Sequence, residues 1–422
     1  MAQIAVVGTG YVGLTTGACL ALLGHDVVCV DIDESKINML KQGTVEIVED
    51  QLQDITQDMM FKQRLRFQFG YDSTLSECEY FFICVPTPQN EDGTADLSFL
   101  RTAATSLKPL VGSGAVLINK STVPVGSTTV VEEIIDREDI HVVSNPEFLR
   151  EGSAVQDFLN PDRIVVGSKN RQVAERVLSL FESLDSTHLI CSPESSETIK
   201  YASNAFLATK LTYVNAIAAL CEHVGANVDD VIRGVGLDRR IGLEYMNPGP
   251  GWGGSCFPKD TQALIRIAEA SGYDFPLLRG VVDLNDSQFS RMVDKIASML
   301  LGELENKVVA LLGLTFKANT NDLRESPSIR IASILKHRGA IVHAYDPTVS
   351  EQMPDIRIFT DAYECCSNAQ ILVICTEWNE FLHLDIEKVG LLMEQKNVLD
   401  TRNMLNPETW IESGFTYRGV GR

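Results

Sequence analysis

Six residues near the start of the chain, Gly8-Thr9-Gly10-Tyr11-Val12-Gly13, restrict the fold more than any other stretch. They follow an apolar run, Ile4-Ala5-Val6-Val7, that reads as a short buried strand. They open a segment through Leu23 that reads as a helix, and the next strand pattern, Val27-Val28-Cys29-Val30, ends on Asp31. The glycines permit a tight turn and close backbone approach, the helix N-terminus attracts an anion, and an acid at that strand end accepts from ribose hydroxyls. A lone Gly-x-Gly-x-x-Gly is a weak signal, but here strand, helix, second strand and acid all fall in register. The pattern predicts a dinucleotide-binding unit, with Gly8, Gly10, Tyr11, Val12 and Gly13 at the diphosphate and Asp31 at the ribose. A carboxylate there opposes a 2′-phosphate and so favours NAD over NADP. Lys36 is a further candidate for the ribose, or a solvated helix lysine.

Strand and helix patterns continue to alternate. Tyr80 to Val85 runs into Pro86-Thr87-Pro88, and Val116 to Asn119 runs into Lys120-Ser121-Thr122-Val123-Pro124-Val125-Gly126. His141 to Ser144 is read as the last strand of this domain, followed by Asn145-Pro146-Glu147-Phe148-Leu149-Arg150-Glu151-Gly152. Strand C-terminal ends carry the ligand loops in such sheets. Thr87 and Thr122 are therefore candidate contacts or plain turn residues, and Glu147 and Glu151 are candidate bases or solvated acids. Ser195 to Val224 has a helical period in which Lys200 and Asn204 share one face with Glu197. From Lys307 the alternation resumes, with strand patterns at Lys307 to Gly313, Gly339 to Asp346 and Ile371 to Cys375, and Val398 to Asp400 as the final core strand. The expected fold is α/β, with two Rossmann-like doubly wound parallel-sheet domains joined by a central helical segment. The expected division is 1–195, 196–300 and 301–422. The third segment lacks the glycine fingerprint, so no second dinucleotide is expected there.

A second constellation carries chemistry: Gly251-Trp252-Gly253-Gly254-Ser255-Cys256-Phe257-Pro258-Lys259-Asp260. The glycines allow close approach to a ligand. Pro258 suits a first helical turn, and Thr261 to Ser271 reads as that helix. A cysteine just before a helix and near a lysine is placed to ionise, and the thiolate is the nucleophile. A buried structural thiol is the competing reading, though such a thiol needs neither a flexible loop nor an adjacent ion pair.

The chain has 422 residues with 45% hydrophobic and 22% charged, enough for two or three packed domains. A net charge of −21 opposes non-specific binding to nucleic acid or anionic membrane, so an anionic substrate requires a local basic cluster. No apolar run reaches the length of a membrane span, and the opening strand leaves no signal peptide, so no membrane insertion is expected. The ten cysteines have no metal-ligand spacing, and several lie inside strand patterns; free thiols in the cytoplasm and no metal are expected. The helical centre offers a spine for a homodimer or higher homo-oligomer.

Taken together the motifs resemble the UDP-glucose/GDP-mannose dehydrogenase family. The resemblance runs nearly end to end, through Val7 to Leu14, Val85 to Pro88, Lys120 to Gly126, Asn145 to Gly152, Lys200 to Asn204, Arg240 to Gly242, Gly253 to Asp260 and Gly313 to Lys317. It implies a four-electron oxidation of a sugar-nucleotide C6 alcohol to a carboxylate, using two NAD per turnover. Cys256 would trap the aldehyde as a thiohemiacetal and then carry a thioester. Lys200 and Asn204 would stabilise an oxyanion, and Asp260, Glu147 and Thr122 would serve water activation and proton transfer. The resemblance assigns cofactor contacts to Thr87, Thr122, Glu151, Lys259 and Arg324. It assigns the nucleotide sugar to Glu147, Phe148, Leu149, Arg150, Glu151, Lys200, Asn204, Tyr245, Met246, Asn247, Pro248, Gly249, Gly253 and Lys317, with Arg240 reaching a neighbouring subunit. Arg239 to Gly242 and Ser255 to Pro258 favour UDP-glucose, and GDP-mannose, UDP-N-acetyl sugars and dTDP-glucose are the alternatives. The chain departs from the family at Glu46 to Leu52, where Pro-Ile-Tyr-Glu-Pro-Gly-Leu is usual, and at Trp252, where a Phe or Tyr is common.

Overall fold

The computed structural model describes residues 1–90 and 92–422. The chain divides into two compact units, Met1–Ser203 with Gln262–Gly272, and Asn204–Thr261 with Tyr273–Arg422. The long helix Pro193–Val224 gives its first turns to one unit and the remainder to the other.

The first unit is built on eight strands: β1 (Gln3–Val7), β2 (Asp26–Asp31), β3 (Leu65–Phe69), β4 (Tyr80–Ile83), β5 (Val116–Asn119), β6 (His141–Ser144), β7 (Arg163–Gly167) and β8 (Thr187–Cys191). Their order in the sheet is β3-β2-β1-β4-β5-β6-β7-β8. The central strands β1, β2, β4, β5 and β6 are apolar through their interiors because both faces are covered, whereas the edge strands β3 and β8 are not. Ile4 and Val6 point into one core and Ala5 and Val7 into the other. Sequence reading ended this sheet at β6, but β7 and β8 extend it. β7 meets β6 in antiparallel sense at a single register pair, Ser144 with Gly167, so the sheet is parallel with one reversal. β8 escapes a pattern reading because Thr187, His188 and Leu189 are exposed at the edge.

The second unit carries β9 (Val308–Leu312), β10 (Ile341–Tyr345), β11 (Ile356–Ile358), β12 (Ile371–Ile374), β13 (Asn397–Asp400) and β14 (Thr416–Arg418). All are parallel, in the order β11-β10-β9-β12-β13-β14. Counted from β9 this is 3-2-1-4-5-6, the dinucleotide-fold order, as are the first six strands of the other sheet. β14 is a short edge strand beyond the expected last one. The helices Val228–Gly236, Phe257–Ala270 and Pro276–Met299 fill the middle of the chain. Among the described residues no helix is long and apolar enough to cross a membrane. All ten cysteines are free thiols.

Candidate active site

The dinucleotide turn is shaped by sterics. Gly8 has φ 95°, and a Cβ on Gly13 would stand 1.9 Å from the Gly8 carbonyl oxygen, so a side chain at either position breaks the turn. The helix Tyr11–Leu22 starts with no side-chain cap and no acidic residue in its first turn. Its N–H groups therefore face outward beside Gly10 and Val12, as an anion requires. The Thr9 N–H and hydroxyl both donate to Asp31 Oδ2 at 2.7 Å, and the Asp33 N–H donates to Oδ1 at 3.1 Å. Partial burial would raise the Asp31 carboxyl, but the Thr9 and Asp33 bonds and the Lys36 charge hold it below the ordinary range. These features fit an NAD with its diphosphate at the turn and its ribose at Asp31. The corresponding acid of the second unit, Asp346, is buried and accepts from Leu314 N–H, Thr315 N–H and hydroxyl, and Trp378 Nε1.

At the C-terminal ends of β4 and β5, the Thr87 hydroxyl donates to the Thr122 carbonyl at 2.8 Å, which brings these two candidates together. The Ser121 hydroxyl locks the same turns through Val85 O at 2.6 Å. After β6 the chain enters the acidic loop. Glu147 is buried and pairs with Lys200 at 2.7 Å, while its second oxygen accepts from Leu149 N–H at 2.7 Å. Burial would raise the Glu147 carboxyl, but Lys200 and the Leu149 bond hold it below its usual value. Phe148 lies between cations, with the Arg163 guanidinium 3.9 Å and Lys200 Nζ 5.6 Å from its ring centre. Arg150 is turned to Asp157 at 2.5 Å and is exposed, and Glu151 is half-buried.

Three residues of this unit had no role in the sequence reading. Lys120 is buried, donates to Asn145 Oδ1 at 3.1 Å, and is pushed down to about 8 by burial. Glu197, on the expected face of the long helix, instead accepts from Gly126 N–H and Thr128 N–H and hydroxyl at 2.6 to 2.8 Å, capping the helix Ser127–Ile135. Glu49 collects bonds from Tyr11, Gly152 and Ala154. Only its place in the departing Glu46–Leu52 stretch marked it.

In the second unit the cysteine loop is packed tightly. A Cβ on Gly253 would stand 1.8 Å from the Glu325 carbonyl oxygen, so only glycine fits there. Trp252 is buried; its N–H donates to Asn285 Oδ1 at 2.9 Å and its indole to Thr212 Oγ1 at 2.8 Å. Cys256 directly precedes the helix Phe257–Ala270 and is half-buried, with the Ser255 hydroxyl 3.5 Å from Sγ. In the first turn of that helix Asp260 is fully buried, accepting from Asn204 at 2.6 Å and Lys259 at 2.7 Å. Cys256, Lys259, Asp260 and Asn204 are thus one local group. Tyr245 takes φ 59° and stacks near Phe257, Met246 is buried, and Asn247 is exposed. Pro248 is buried, and Gly249 is held through Asn215 and Gln288. Lys317 Nζ lies 6.0 Å from the ring centre of Phe316, whose carbonyl is fixed by Arg402 at 3.0 Å. Arg324 pairs with Asp322, and its carbonyl accepts from Gly254 N–H. Arg240 pairs with Asp238 at the surface and belongs to none of these groups within its own chain.

The chain is similar to known proteins along its length. Residues 2–185 match the NAD binding domain of the UDP-glucose/GDP-mannose dehydrogenase family, 194–287 its central domain and 310–407 its UDP binding domain. The chain is 41% identical to the UDP-glucose 6-dehydrogenase TuaD of Bacillus subtilis, over 100% of this chain and 94% of the relative. It is 42% identical to the UDP-glucose 6-dehydrogenase of Rhizobium meliloti, over 100% and 99%. Among solved structures, a UDP-glucose dehydrogenase from Pyrobaculum islandicum superposes with TM-score 0.90 at 34% identity, covering 100% of this chain and 98% of that one. A UDP-D-ManNAc dehydrogenase from Pyrococcus horikoshii gives 0.88 at 27%, covering 100% and 99%. With an NAD-type turn, a half-buried thiol at a helix start and matches along its length, the chain is an NAD-dependent oxidoreductase and belongs to the UDP-glucose/GDP-mannose dehydrogenase family.

Proposed function

We propose that the protein oxidises the C6 hydroxyl of UDP-glucose to the carboxylate of UDP-glucuronate, with two NAD per turnover and Cys256 as the covalent nucleophile. The observation that carries the reading is Cys256: a half-buried thiol at the start of a helix whose first turn holds half-buried Lys259 and buried Asp260, the latter also bonded to buried Asn204 of the long helix. NAD, when bound, accepts a hydride in each of two steps. In the first, a base takes the hydroxyl proton as C6 becomes an aldehyde. Cys256 Sγ then adds to that carbonyl carbon, and the oxygen keeps the released electron pair under stabilisation by cationic donors such as Lys200. The second oxidation converts the thiohemiacetal to a thioester. Water attacks the thioester, the C–S bond breaks, and the thiol is restored. Asp260, Glu147 and Thr122 are assigned to proton transfer and water orientation. The acidic loop from Glu147 to Glu151, the stretch from Tyr245 to Gly249, Gly253 and Lys317 are assigned to the nucleotide sugar.

The test is the NADH formed per UDP-glucose consumed. Two are expected from the wild type, with complete turnover lost in Cys256→Ala. One NADH, or an unaffected variant, would leave an ordinary alcohol dehydrogenase. A second reading, the same chemistry on another sugar nucleotide, is favoured by the likeness to the UDP-D-ManNAc dehydrogenase. It predicts activity with UDP-N-acetyl-mannosamine or GDP-mannose, tested in parallel, and none with UDP-glucose.

The proposal extends to assembly. The parts 1–195, 196–300 and 301–422 are read as NAD-binding, dimerising and UDP-sugar-binding segments. The long helix leaves Phe206, Tyr213 and Leu220 between 52% and 64% exposed, seven residues apart and so on one face. A second copy of this chain is the occupant proposed for that stripe, in a cytoplasmic homodimer to which Arg240 contributes across the interface. Light scattering should give twice the mass of one chain, falling to one in Phe206→Asp/Leu220→Asp. A monomeric wild type would sink this part alone.

A further inference from the structure

Glu49 is 8% exposed and lies just before the helix Leu52–Phe61. Its carboxylate joins three segments that are far apart in sequence. Oε2 is 2.5 Å from the Tyr11 hydroxyl and accepts from Gly152 N–H at 2.7 Å; Oε1 accepts from Ala154 N–H at 2.7 Å. Tyr11 is the first residue of the helix that faces the dinucleotide, and Gly152 closes the loop that carries Glu147 and Glu151.

Two features separate this contact from ordinary packing. The helix Ala154–Leu159 begins at Ser153, whose hydroxyl makes no capping bond. Local capping by that serine is the usual solution, yet here the acceptor comes from Glu49, 105 residues away. Burying a carboxylate for a cap alone is expensive. The Tyr11 hydroxyl also lies 2.9 Å from the Arg150 carbonyl, so its single hydrogen has two acceptors, one on Glu49 and one on the acidic loop. Burial, then the Glu49 bond and the charges of Glu49, Glu151 and Glu147, push the phenol far above its ordinary range, so it stays a donor at any working pH.

We propose that Glu49 is a positioning residue that, through the Tyr11 hydroxyl, ties the acidic loop to the dinucleotide turn, so that NAD at the turn orders residues 149 to 154. A diphosphate at the helix N-terminus fixes the Tyr11 backbone and hence the direction of its hydroxyl. A ligand shifts such an equilibrium only through a differential contact, and this hydrogen bond supplies one. The inference rests on the proposed function only for what the loop then holds.

The experiment is amide hydrogen exchange of peptides covering residues 147 to 156, with and without saturating NAD. The proteins are wild type, Tyr11→Phe and Glu49→Gln, with NAD binding followed separately by tryptophan fluorescence. NAD should slow exchange at Gly152 and Ala154 by about tenfold in the wild type, about 1.4 kcal/mol. At NAD concentrations saturating for each protein, the slowing should drop below twofold in both variants, and Glu49→Gln should bind NAD as the wild type does. Slowing that persists in Tyr11→Phe, or that is absent in the wild type, overturns the proposal. So does loss of NAD binding in Glu49→Gln, since that carboxylate would then belong to the cofactor site itself. A purely structural role would lower melting temperature in Glu49→Gln and leave the NAD-dependent slowing intact. The substrate reading is judged separately: with UDP-glucose, Glu49→Gln should raise KM about fivefold with kcat within twofold. A wild type inert to UDP-glucose sinks that reading while the exchange result still decides the link.

Discussion

Lys200 Nζ and Glu147 Oε1 are 2.7 Å apart, with side chains only 4% and 5% exposed. Taking two charges out of water is costly, and their attraction repays it only while both are present. Lys200→Met should therefore destabilise the first unit by about 3–5 kcal/mol in urea unfolding. The double variant Lys200→Met/Glu147→Leu should recover most of that loss while remaining inactive. A double variant as unstable as the single one would show that the pair organises more than its own charges.

The same pair sets a pH dependence. Burial pushes the Glu147 carboxyl up, and Lys200 pulls it further down, to a net value below the ordinary one. Since the folded state then binds its proton less tightly than the unfolded chain, the contribution is present above the unfolded carboxylate value. It is lost as pH falls through the folded one. Without Lys200, burial dominates and the sign reverses. Acid titration monitored by circular dichroism should show wild-type stability falling below about pH 4, whereas Lys200→Met gains stability as pH drops from 7 to 5. Parallel curves for the two proteins would rule out Lys200 as the controlling charge.

Thiol reactivity should single out Cys256. Eight of the ten cysteines are buried, and burial pushes Cys84 and Cys375 up to about 12. Cys191 is half-buried, and burial raises it as well. Cys256 is half-buried and directly precedes a helix, the kind of position that reactive cysteines occupy. Iodoacetamide at neutral pH, read by peptide mass spectrometry, should label Cys256 first and Cys191 more slowly. The other eight should react only after denaturation. Protection of Cys256 by UDP-glucose is expected, and labelling of Cys191 ahead of Cys256 would count against the nucleophile.

Gln51 occupies the position where the related motif carries glycine, and it pays for this with φ 63°. A non-glycine residue in the left-handed region costs roughly 1–2 kcal/mol, whereas glycine costs roughly 0.5–1 kcal/mol more chain entropy. The first term wins, so Gln51→Gly should stabilise by roughly 0.5–1 kcal/mol and raise the melting temperature. Gln51→Val, whose branched side chain tolerates this conformation worse, should lower it.

What the sequence made legible follows from range. β1 and β9 were readable because both faces are covered and Ile4 to Val7 and Val308 to Leu312 are all apolar, and the turn at Gly8 to Gly13 because its sterics act within six residues. β8 was missed because an edge strand with exposed Thr187, His188 and Leu189 has no such pattern. The Cys256–Asp260 group was legible through a local helix start, although Asn204, 56 residues away, was linked to it only by resemblance. Lys120 and Glu49 were unreadable as buried groups, since charged residues are ordinarily exposed. Their partners lie 25 residues away for Lys120 and between 38 and 105 for Glu49. Arg402, which holds the Phe316 carbonyl from 86 residues away, is the same case.

Trp252 replaces the smaller aromatic common at its position, and the fold has adapted to its extra polar group. The indole Nε1 donates to Thr212 Oγ1 at 2.8 Å, both groups buried, and the Thr212 hydroxyl has its own acceptor in Val281 O at 3.4 Å. Trp252→Phe removes that bond and part of a packed ring, so a loss of about 1–3 kcal/mol is expected in urea unfolding. Thr212→Val leaves the indole N–H buried without an acceptor and should cost about 1–3 kcal/mol. If the bond is what the two changes share, Trp252→Phe/Thr212→Val should cost less than their sum by at least about 0.5 kcal/mol. Additive losses would assign the tryptophan's contribution to packing against Phe257, whose ring centre is 6.3 Å away at 83°. In that case Trp252→Phe should slow turnover through Cys256, because Phe257 is the residue directly after it.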